Sequence, residues 1–179
     1  MLLITPANRF KPNEEDIQRL YELMVYAYEV TERQIWGPNY VRMFLDEYSQ
    51  LLETDKILIA HFGEHIVGSI YHYPISENSY AFGLLNADFD ESGKGIGRAL
   101  IEGAELSAKE KGAEYMQLEI LRPDDIHVPQ KEKLKNWYQS MGYVFSRTGK
   151  FEELKPEKAE KAKKLVNPSS FDVYIKPLK

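Results

Sequence analysis

Apolar residues near the start of the chain recur at helical spacing. Asn13 stands where a helix cap is expected, and the three acidic residues after it suit the positive end of a helix dipole. The apolar face of this first predicted helix is formed by Ile17, Leu20, Tyr21, Met24 and Tyr28. A second amphipathic helix is predicted after Pro38, with an apolar face formed by Val41, Phe44, Leu45, Tyr48 and Leu52. Residues 31–37 have no clear period, so we predict a loop between the two helices.

The pattern then changes to runs that are rich in β-branched and aromatic residues. Residues 56–62 and 66–73 predict the two strands of a hairpin, because Gly63-Glu64 between them suits a tight turn. Further strands are predicted over residues 2–4, 79–87, 115–121, 143–146 and 171–176. Further helices are predicted between residues 97 and 112, over residues 130–141, and as a charged excursion over residues 152–165. No repeat or linker divides the chain, so we predict a single α+β domain over residues 1–179.

Composition narrows the class of protein that this pattern describes. The 179 residues include 28 acidic and 23 basic side chains, and the net charge of −5 gives no general attraction to nucleic acid. The absence of cysteine excludes disulfides, zinc–thiolate clusters and a cysteine nucleophile, and the spacing of the histidines does not suit a metal site. No apolar run approaches the roughly 20 residues of a membrane span, and no signal-peptide core is present. We therefore expect a cytoplasmic protein that does not bind a membrane.

The most informative stretch is a glycine loop between a predicted strand and a predicted helix. Its alternate glycines, Gly93, Gly95 and Gly97, leave backbone N–H groups free at the positive end of the helix, an arrangement that suits a pyrophosphate. Lys94 and Arg98 add positive charge at the same place. The alternative is a tight, flexible loop that binds no ligand.

Two other phosphate-binding motifs do not fit this loop. A P-loop needs Lys and then Ser or Thr directly after its last glycine, whereas Gly97 is followed by Arg98 and Ala99. A dinucleotide fingerprint needs a third glycine three residues after its second, where this chain has Arg98 or Leu100. The strands before the loop also have an antiparallel pattern, so the sequence argues against both nucleotide-binding folds.

The glycine loop and, after it in the chain, residues 137–143 resemble in this order two motifs of the GCN5-related N-acetyltransferases (the GNAT family). The acetyl-CoA loop of that family reads Gln/Arg-x-x-Gly-x-Gly/Ala before a helix, and residues 92–97, Ser-Gly-Lys-Gly-Ile-Gly, are similar to it. A family helix that ends in Leu-Tyr-Glu-Lys-Leu-Gly-Phe is similar to residues 137–143, Trp-Tyr-Gln-Ser-Met-Gly-Tyr. The resemblance covers residues 56–143 in order and spacing. It implies a three-layer fold in which helices flank a mixed, mostly antiparallel central sheet.

The resemblance also implies where acetyl-CoA, the co-substrate of the family, binds. The strand before the loop offers backbone groups to pantetheine and the thioester, and the loop holds the pyrophosphate. The implied cofactor-binding residues are Leu85, Asn86, Ala87, Ser92, Gly93, Lys94, Gly95, Ile96, Gly97 and Arg98. The chain departs from the family pattern at Ser92, which replaces the leading Gln/Arg, at Phe89, which replaces a proline, and at Lys131, which replaces an asparagine.

The implied reaction is transfer of an acetyl group to a primary amine of a small molecule or peptide. Direct attack in a ternary complex is expected, because a chain without cysteine forms no cysteinyl acyl-enzyme. Tyr138 matches the family tyrosine and is expected to protonate the leaving thiolate; its alternative is a packing aromatic beside Trp137. Glu119 is expected to be the base, because residues 118–120 resemble the Leu-Glu-Val of ribosomal-protein N-terminal acetylases and a partly apolar cleft can raise the pKa of a carboxyl. Its alternative is a surface carboxylate, or one that only orients a water or the amine.

Two other functions stay open at this stage. One is a non-catalytic acyl-CoA-binding or regulatory module on the same fold, and the other is a transferase of longer acyl chains. Acceptor specificity is expected to lie in the two early helices, in residues 152–165 and in the loop over residues 122–129. The terminal strand, residues 171–176, could pair across a homodimer.

Overall fold

The computed structural model describes residues 1–179, which fold into two compact units. The first unit contains residues 1–27, 41–116 and 178–179, and the second contains residues 28–40 and 117–177. Two of the boundaries fall inside regular elements, the helix α2 (Glu14–Trp36) and the strand β5 (Tyr115–Pro123). The single domain expected from the sequence stays a prediction.

The first unit is built on four antiparallel strands in the order β1-β2-β3-β4. The strands are β1 (Leu2–Pro6), β2 (Ile57–Phe62), β3 (His65–Pro74) and β4 (Ser79–Ala87). The helices of this unit are α1 (Ala7–Phe10), the first part of α2, α3 (Leu45–Leu52) and α4 (Ile96–Glu110). Gly63 has a φ of 59°, a backbone conformation that few other residues adopt, and the predicted β2–β3 hairpin turns there. Helix α4 packs closely against β1, since a Cβ added at Gly103 would lie 2.9 Å from Cγ2 of Ile4.

The second unit contains the last part of α2, most of β5 and the elements that follow it. These are α5 (Pro129–Ser140), β6 (Val144–Lys150), α6 (Phe151–Leu154), α7 (Ala159–Ala162) and β7 (Ser169–Pro177). Strand β7 lies between β5 and β6 and pairs antiparallel with β6, with Gly149 opposite Phe171. The aromatic core of this second unit is formed by Trp36, Phe151 and Phe171, together with Ile35 and Leu121. The Phe151 ring is edge-on to Trp36 and stacked on Phe171.

Seven strands, mostly antiparallel, are flanked by helices, and the predicted α+β fold class is confirmed. The terminal strand, however, is not at an edge: β7 is covered by β5 on one side and by β6 on the other. The suggestion that residues 171–176 pair across a dimer is therefore wrong, because β7 has no free backbone edge. A homodimer stays a prediction without that contact.

The two early helices differ from the predicted ones at the end of α2 and at the start of α3. Helix α2 continues through residues 31–36 and ends where Gly37, with a φ of 82°, donates its N–H to Arg33 O at 2.8 Å. The packing of Trp36 against Phe151 stabilises these last turns, and the local sequence period does not show it. Helix α3 begins only at Leu45, because Phe44 before it is extended, with a ψ of 155°. The carbonyl of Met43 in this non-helical stretch accepts a hydrogen bond from the Tyr21 hydroxyl at 2.8 Å.

The charged segment over residues 152–165 is not one helix. It forms α6, a single 3₁₀ turn over Pro156–Lys158, and α7. Pro156 lacks an N–H group and disfavours a helical conformation in the residue before it, so Lys155 adopts φ −129° and the helix ends. The predicted excursion is thus interrupted at Lys155 and consists of two short helices with a 3₁₀ turn between them.

Candidate active site

The glycine loop connects β4 to the N-terminus of α4 in the first unit. Gly93 and Gly95 have φ values of 84° and 74°, so both occupy the left-handed region that favours glycine. No side chain caps α4, and the N–H groups of its first turn have no acceptor within the helix. Ser92, Gly93, Lys94, Gly95 and Arg98 are exposed, whereas Ile96 is buried and holds the start of the helix against the unit. The loop therefore presents backbone donors to solvent at the positive end of a helix.

The two cations predicted to assist this loop already have acidic partners on the surface. Lys94 forms a hydrogen-bonded ion pair with Glu91, and Arg98 lies 3.9 Å from Glu102 on the next turn of α4. More than half of each cationic side chain is exposed, so these pairs are weak and can be exchanged for an anionic ligand.

Just before the loop, β4 contains a β-bulge. Ser69 of β3 is opposite Asn86 and Tyr71 is opposite Gly83, so two residues of β4, Leu84 and Leu85, face one residue of β3. Leu84 has a φ of 52°, which is unusual for a non-glycine residue and costs about 1–3 kcal/mol. The three predicted residues Leu85, Asn86 and Ala87 thus lie directly after a strained point of the strand.

A buried polar chain holds the bulge in place. The Asn86 amide nitrogen donates to the carbonyl of Leu84 and to Oγ of Ser69, each at 2.9 Å, and Oη of Tyr48 lies 3.0 Å from the same Oγ. Burial raises the pKa of Tyr48 to about 12, against a smaller lowering by the hydrogen bond with Ser69. Oδ1 of Asn86 is buried and has no hydrogen-bond partner. Because native proteins rarely leave such an acceptor unpaired, this oxygen is a candidate contact for a ligand at β4.

Glu119 lies on β5 in the second unit, and both of its carboxylate oxygens have partners. Lys155 Nζ lies 2.9 Å from Oε2, and the Gln117 side-chain amide donates to Oε1 at 3.2 Å. About four-fifths of each charged side chain of the ion pair is buried. The expected base is therefore in a partly buried position and in contact with an amine.

Tyr138 is almost fully buried on α5, with 8% of its surface exposed. Its ring packs against Trp137 and, edge-on, against Tyr143. Burial raises the pKa of Tyr138 above its usual value, and the neighbouring Tyr28 raises it further. The phenol is therefore protonated at neutral pH, as a proton donor must be.

Helix α5 also carries a buried ion pair that the sequence did not predict. Lys131 Nζ lies 2.9 Å from Oε2 of Glu32, and the Trp36 indole N–H donates to Oε1 of the same carboxylate at 3.1 Å. Both charged side chains are more than nine-tenths buried. Lys131 stands where the GNAT family has an asparagine, and that departure was the only signal in the sequence.

A cavity of about 380 Å³ lies in the second unit where β5 leads into α5. Its lining includes Arg122, which donates to Asp172 at 2.5 and 3.1 Å, and this pairing raises the pKa of the guanidinium. Residues 123–128, within the loop in which specificity is expected, also line it. Lys150 and Ser170 lower the pKa of Asp124 by hydrogen bonds to its carboxylate, so part of the acidic lining already has partners.

Two of the four histidines, His61 and His72, have structural roles. The His61 ring bonds Oγ1 of Thr5 and the carbonyl of Gly63, and the His72 ring bonds the carbonyl of Lys56 and Oγ of Ser107. Burial lowers the pKa of His72. No group of three or more His, Asp or Glu side chains is placed to hold a metal ion.

The candidate site residues therefore fall into two groups. The β4 bulge and the glycine loop, with all ten residues expected to bind cofactor, belong to the first unit, and Glu119 and Tyr138 belong to the second. The role of each residue stays a prediction. None of the helices, α2 included, combines the length and the apolar character needed to cross a bilayer.

Comparison with known proteins gives a structural likeness only. No family model and no curated protein matches the sequence. Ard1 from Thermoplasma volcanium is similar in structure with a TM-score of 0.68 and 13% identity, over 99% of this chain and 98% of that one. Ribosomal-protein-alanine N-acetyltransferase from Brucella melitensis has a TM-score of 0.65 and 19% identity, over 98% and 99%. A GNAT family acetyltransferase from Elizabethkingia anophelis, crystallised with acetyl-CoA, has a TM-score of 0.64 and 14% identity, over 99% and 98%.

These similarities extend over the whole chain, from the first strand to the last. The protein therefore has the fold of the GNAT acetyltransferases, and the resemblance seen in its sequence is confirmed at the level of the fold.

Proposed function

We propose that this protein is an acetyl-CoA-dependent N-acetyltransferase that acts on a primary amine. The observation that carries the proposal is the bulged strand β4 followed by an uncapped helix N-terminus with glycines in the left-handed region. Exposed N–H groups at such a terminus suit a pyrophosphate, which coenzyme A contains. A GNAT family acetyltransferase of similar fold was crystallised with acetyl-CoA bound, which supports the same co-substrate here.

The proposed mechanism is direct attack by the amine on the thioester. The acceptor ammonium loses a proton to Glu119, and the amine nitrogen forms a bond to the thioester carbon. Backbone N–H groups near the β4 bulge stabilise the oxyanion of the tetrahedral intermediate. The C–S bond then breaks, and the buried phenol of Tyr138 donates a proton to the departing thiolate. The acceptor is a small molecule or a peptide amine.

Ligand binding is the first test of this function. Acetyl-CoA at about a hundredfold above its Kd is expected to raise the Tm by roughly 5–10 °C, from about 2.7 kcal/mol of added stability in a chain of this size. NAD is expected to have no effect. Longer acyl-CoAs in the same thermal-shift series, followed by an assay of free CoA released with a panel of amines, separate the acetyltransferase from a longer-chain transferase or a non-catalytic module.

A pair of glycine variants makes the binding test specific to the loop. Gly95 and Gly112 lie at opposite ends of α4, both with positive φ and with no atom within 4 Å of an added Cβ. Gly95→Val and Gly112→Val are expected to cost similar stability, but only Gly95→Val should lose the shift with acetyl-CoA. Equal shifts in the two variants, or no shift in the unmodified protein, would contradict the proposed site.

The base is tested with Glu119→Gln. The amide cannot accept the proton, so kcat/KM at neutral pH is expected to fall about a hundredfold, the low end of the effect of a positioned base. The loss should shrink as the pH rises, because solvent then supplies more free amine. Glu110→Gln, on the exposed end of α4, is the matched control. An unchanged pH profile of kcat/KM in Glu119→Gln would exclude Glu119 as the base.

A further inference from the structure

One amine of this chain already lies against the proposed base. Lys155 Nζ is 2.9 Å from Oε2 of Glu119, within hydrogen-bond distance, and the pair is about four-fifths buried. The other oxygen, Oε1, accepts from Gln117, so the lysine lies at the oxygen that Gln117 does not bind. In this position the ε-amine of Lys155 has the chemistry and the contact that an acceptor would need.

Packing and hydrogen bonds of the fold fix the position of this amine. Phe151 anchors α6 in the aromatic core, with its ring stacked on Phe171 at 5.2 Å and edge-on to Trp36 at 5.6 Å. The N–H of Lys155 donates to the carbonyl of Phe151 at 2.9 Å, and Pro156 stops the helix directly afterwards. Lys155 Nζ also lies 5.9 Å from the centre of the Phe171 ring, a favourable cation–π distance. The backbone and the ring together fix where the ammonium lies.

We propose that Lys155 is an acetyl acceptor in its own chain. The proposal rests on the proposed function, since it uses the same co-substrate and the same base. Glu119 takes one proton from the Lys155 ammonium, and the nitrogen lone pair forms a C–N bond to the thioester carbon. The C–S bond breaks, the thiolate leaves as CoA and takes a proton, and one net proton is released to solvent. The products are an amide at Lys155 and the free thiol of CoA.

The modification changes the electrostatics of the site. An acetylated lysine carries no positive charge, so it cannot form the ion pair with Glu119. The carboxylate is then released from its partner and becomes accessible to an external amine. Self-acetylation at Lys155 therefore prepares the site for its other acceptors.

The experiment needs no knowledge of the external acceptor. The full chain is incubated with acetyl-CoA alone, and each lysine is followed by peptide mass spectrometry. Lys111 is the internal reference, because it forms an ion pair of similar length, 2.7 Å, with Asp55 in the first unit. Lys155 is expected to be acetylated about a hundredfold faster than Lys111, the low end of what a positioned base contributes. Its rate should not depend on protein concentration, because the transfer is intramolecular.

Two variants separate enzymatic transfer from chemical acetylation. Glu119→Gln is expected to slow the modification of Lys155 about a hundredfold and to leave that of Lys111 unchanged. Lys155→Arg keeps the positive charge but has no nucleophilic amine, so it should release no CoA in the absence of an external amine.

The outcomes distinguish this inference from the proposed function. If the protein binds acetyl-CoA and acetylates an amine of the panel while Lys155 is modified no faster than Lys111, the inference is wrong and the proposed function stands. Equal modification of Lys155 in the Glu119→Gln chain would also overturn the inference, as simple chemical acetylation. If acetyl-CoA does not bind at all, both proposals are wrong.

Discussion

Replacement of Tyr138 by phenylalanine is expected to lower kcat for amine acetylation about a thousandfold, within the range that a positioned general acid contributes. The variant keeps the ring, which packs against Trp137 and Tyr143, and removes only the hydroxyl. Burial raises the pKa of Tyr138 above its usual value, so the phenol is protonated throughout the working range. The loss of kcat should therefore be constant between about pH 6 and pH 9, because this range lies below the ordinary phenol pKa of about 10 and burial raises the pKa of Tyr138 further.

Tyr143→Phe is the matched control for this substitution. Tyr143 is also a buried tyrosine, and its ring centre lies 6.3 Å from that of Tyr138. Loss of its hydroxyl should change stability without changing kcat. Steady-state kinetics over the pH range decide between the two roles: a Tyr138→Phe enzyme with normal kcat at every pH would show that the residue only packs the helix.

Lys131→Met is expected to lower the free energy of unfolding by about 3–5 kcal/mol, the cost of leaving one member of a buried ion pair without its partner. Glu32 is more than nine-tenths buried and would then keep its negative charge without the cation that pairs with it. In a chain of this size the loss corresponds to a Tm lower by roughly 10 °C. Urea unfolding followed by tryptophan fluorescence measures the effect.

A double variant shows whether charge is the cause. Glu32→Gln combined with Lys131→Met removes the uncompensated charge and keeps an oxygen that accepts from Trp36, so it should be more stable than Lys131→Met alone. Lys133→Met, at an exposed position of the same helix, should lie within about 0.5 kcal/mol of the unmodified protein. If the double variant is no more stable than Lys131→Met, the buried charge is not what destabilises the chain.

The fold could be predicted from the sequence wherever local signals act alone. Strand β4 has the predicted bounds, residues 79–87, and the β2–β3 hairpin turns at Gly63 as its sequence suggests. The prediction failed at residues 31–36 and 41–44, where contacts from distant parts of the chain decide the conformation. Trp36 at the end of α2 packs on Phe151, and the backbone of Met43 before α3 is hydrogen-bonded to Tyr21.

The candidate site was predicted only in part, for the same reason. The glycine loop is continuous in sequence and has its own chemistry, so its pattern alone indicated an anion site. The partners of the chemically important side chains are far away along the chain: Lys131 and Glu32 are separated by 99 residues, and Ser69 and Asn86 by 17. Pairings of this kind appear only after the strands and helices are assembled.

Strand β6 bears on how the protein behaves at high concentration. It is the last strand of its sheet, and Val144 and Phe145 on it are at least half exposed, which is the type of surface that recruits further strands into fibrils. Its pairing with β7 shifts between Phe145 and Arg147, so Ser146 interrupts the regular spacing of backbone hydrogen bonds. Arg147 and Lys150 add charge along the same edge. The irregular, positively charged edge makes growth by strand addition costly, which protects the folded protein against aggregation.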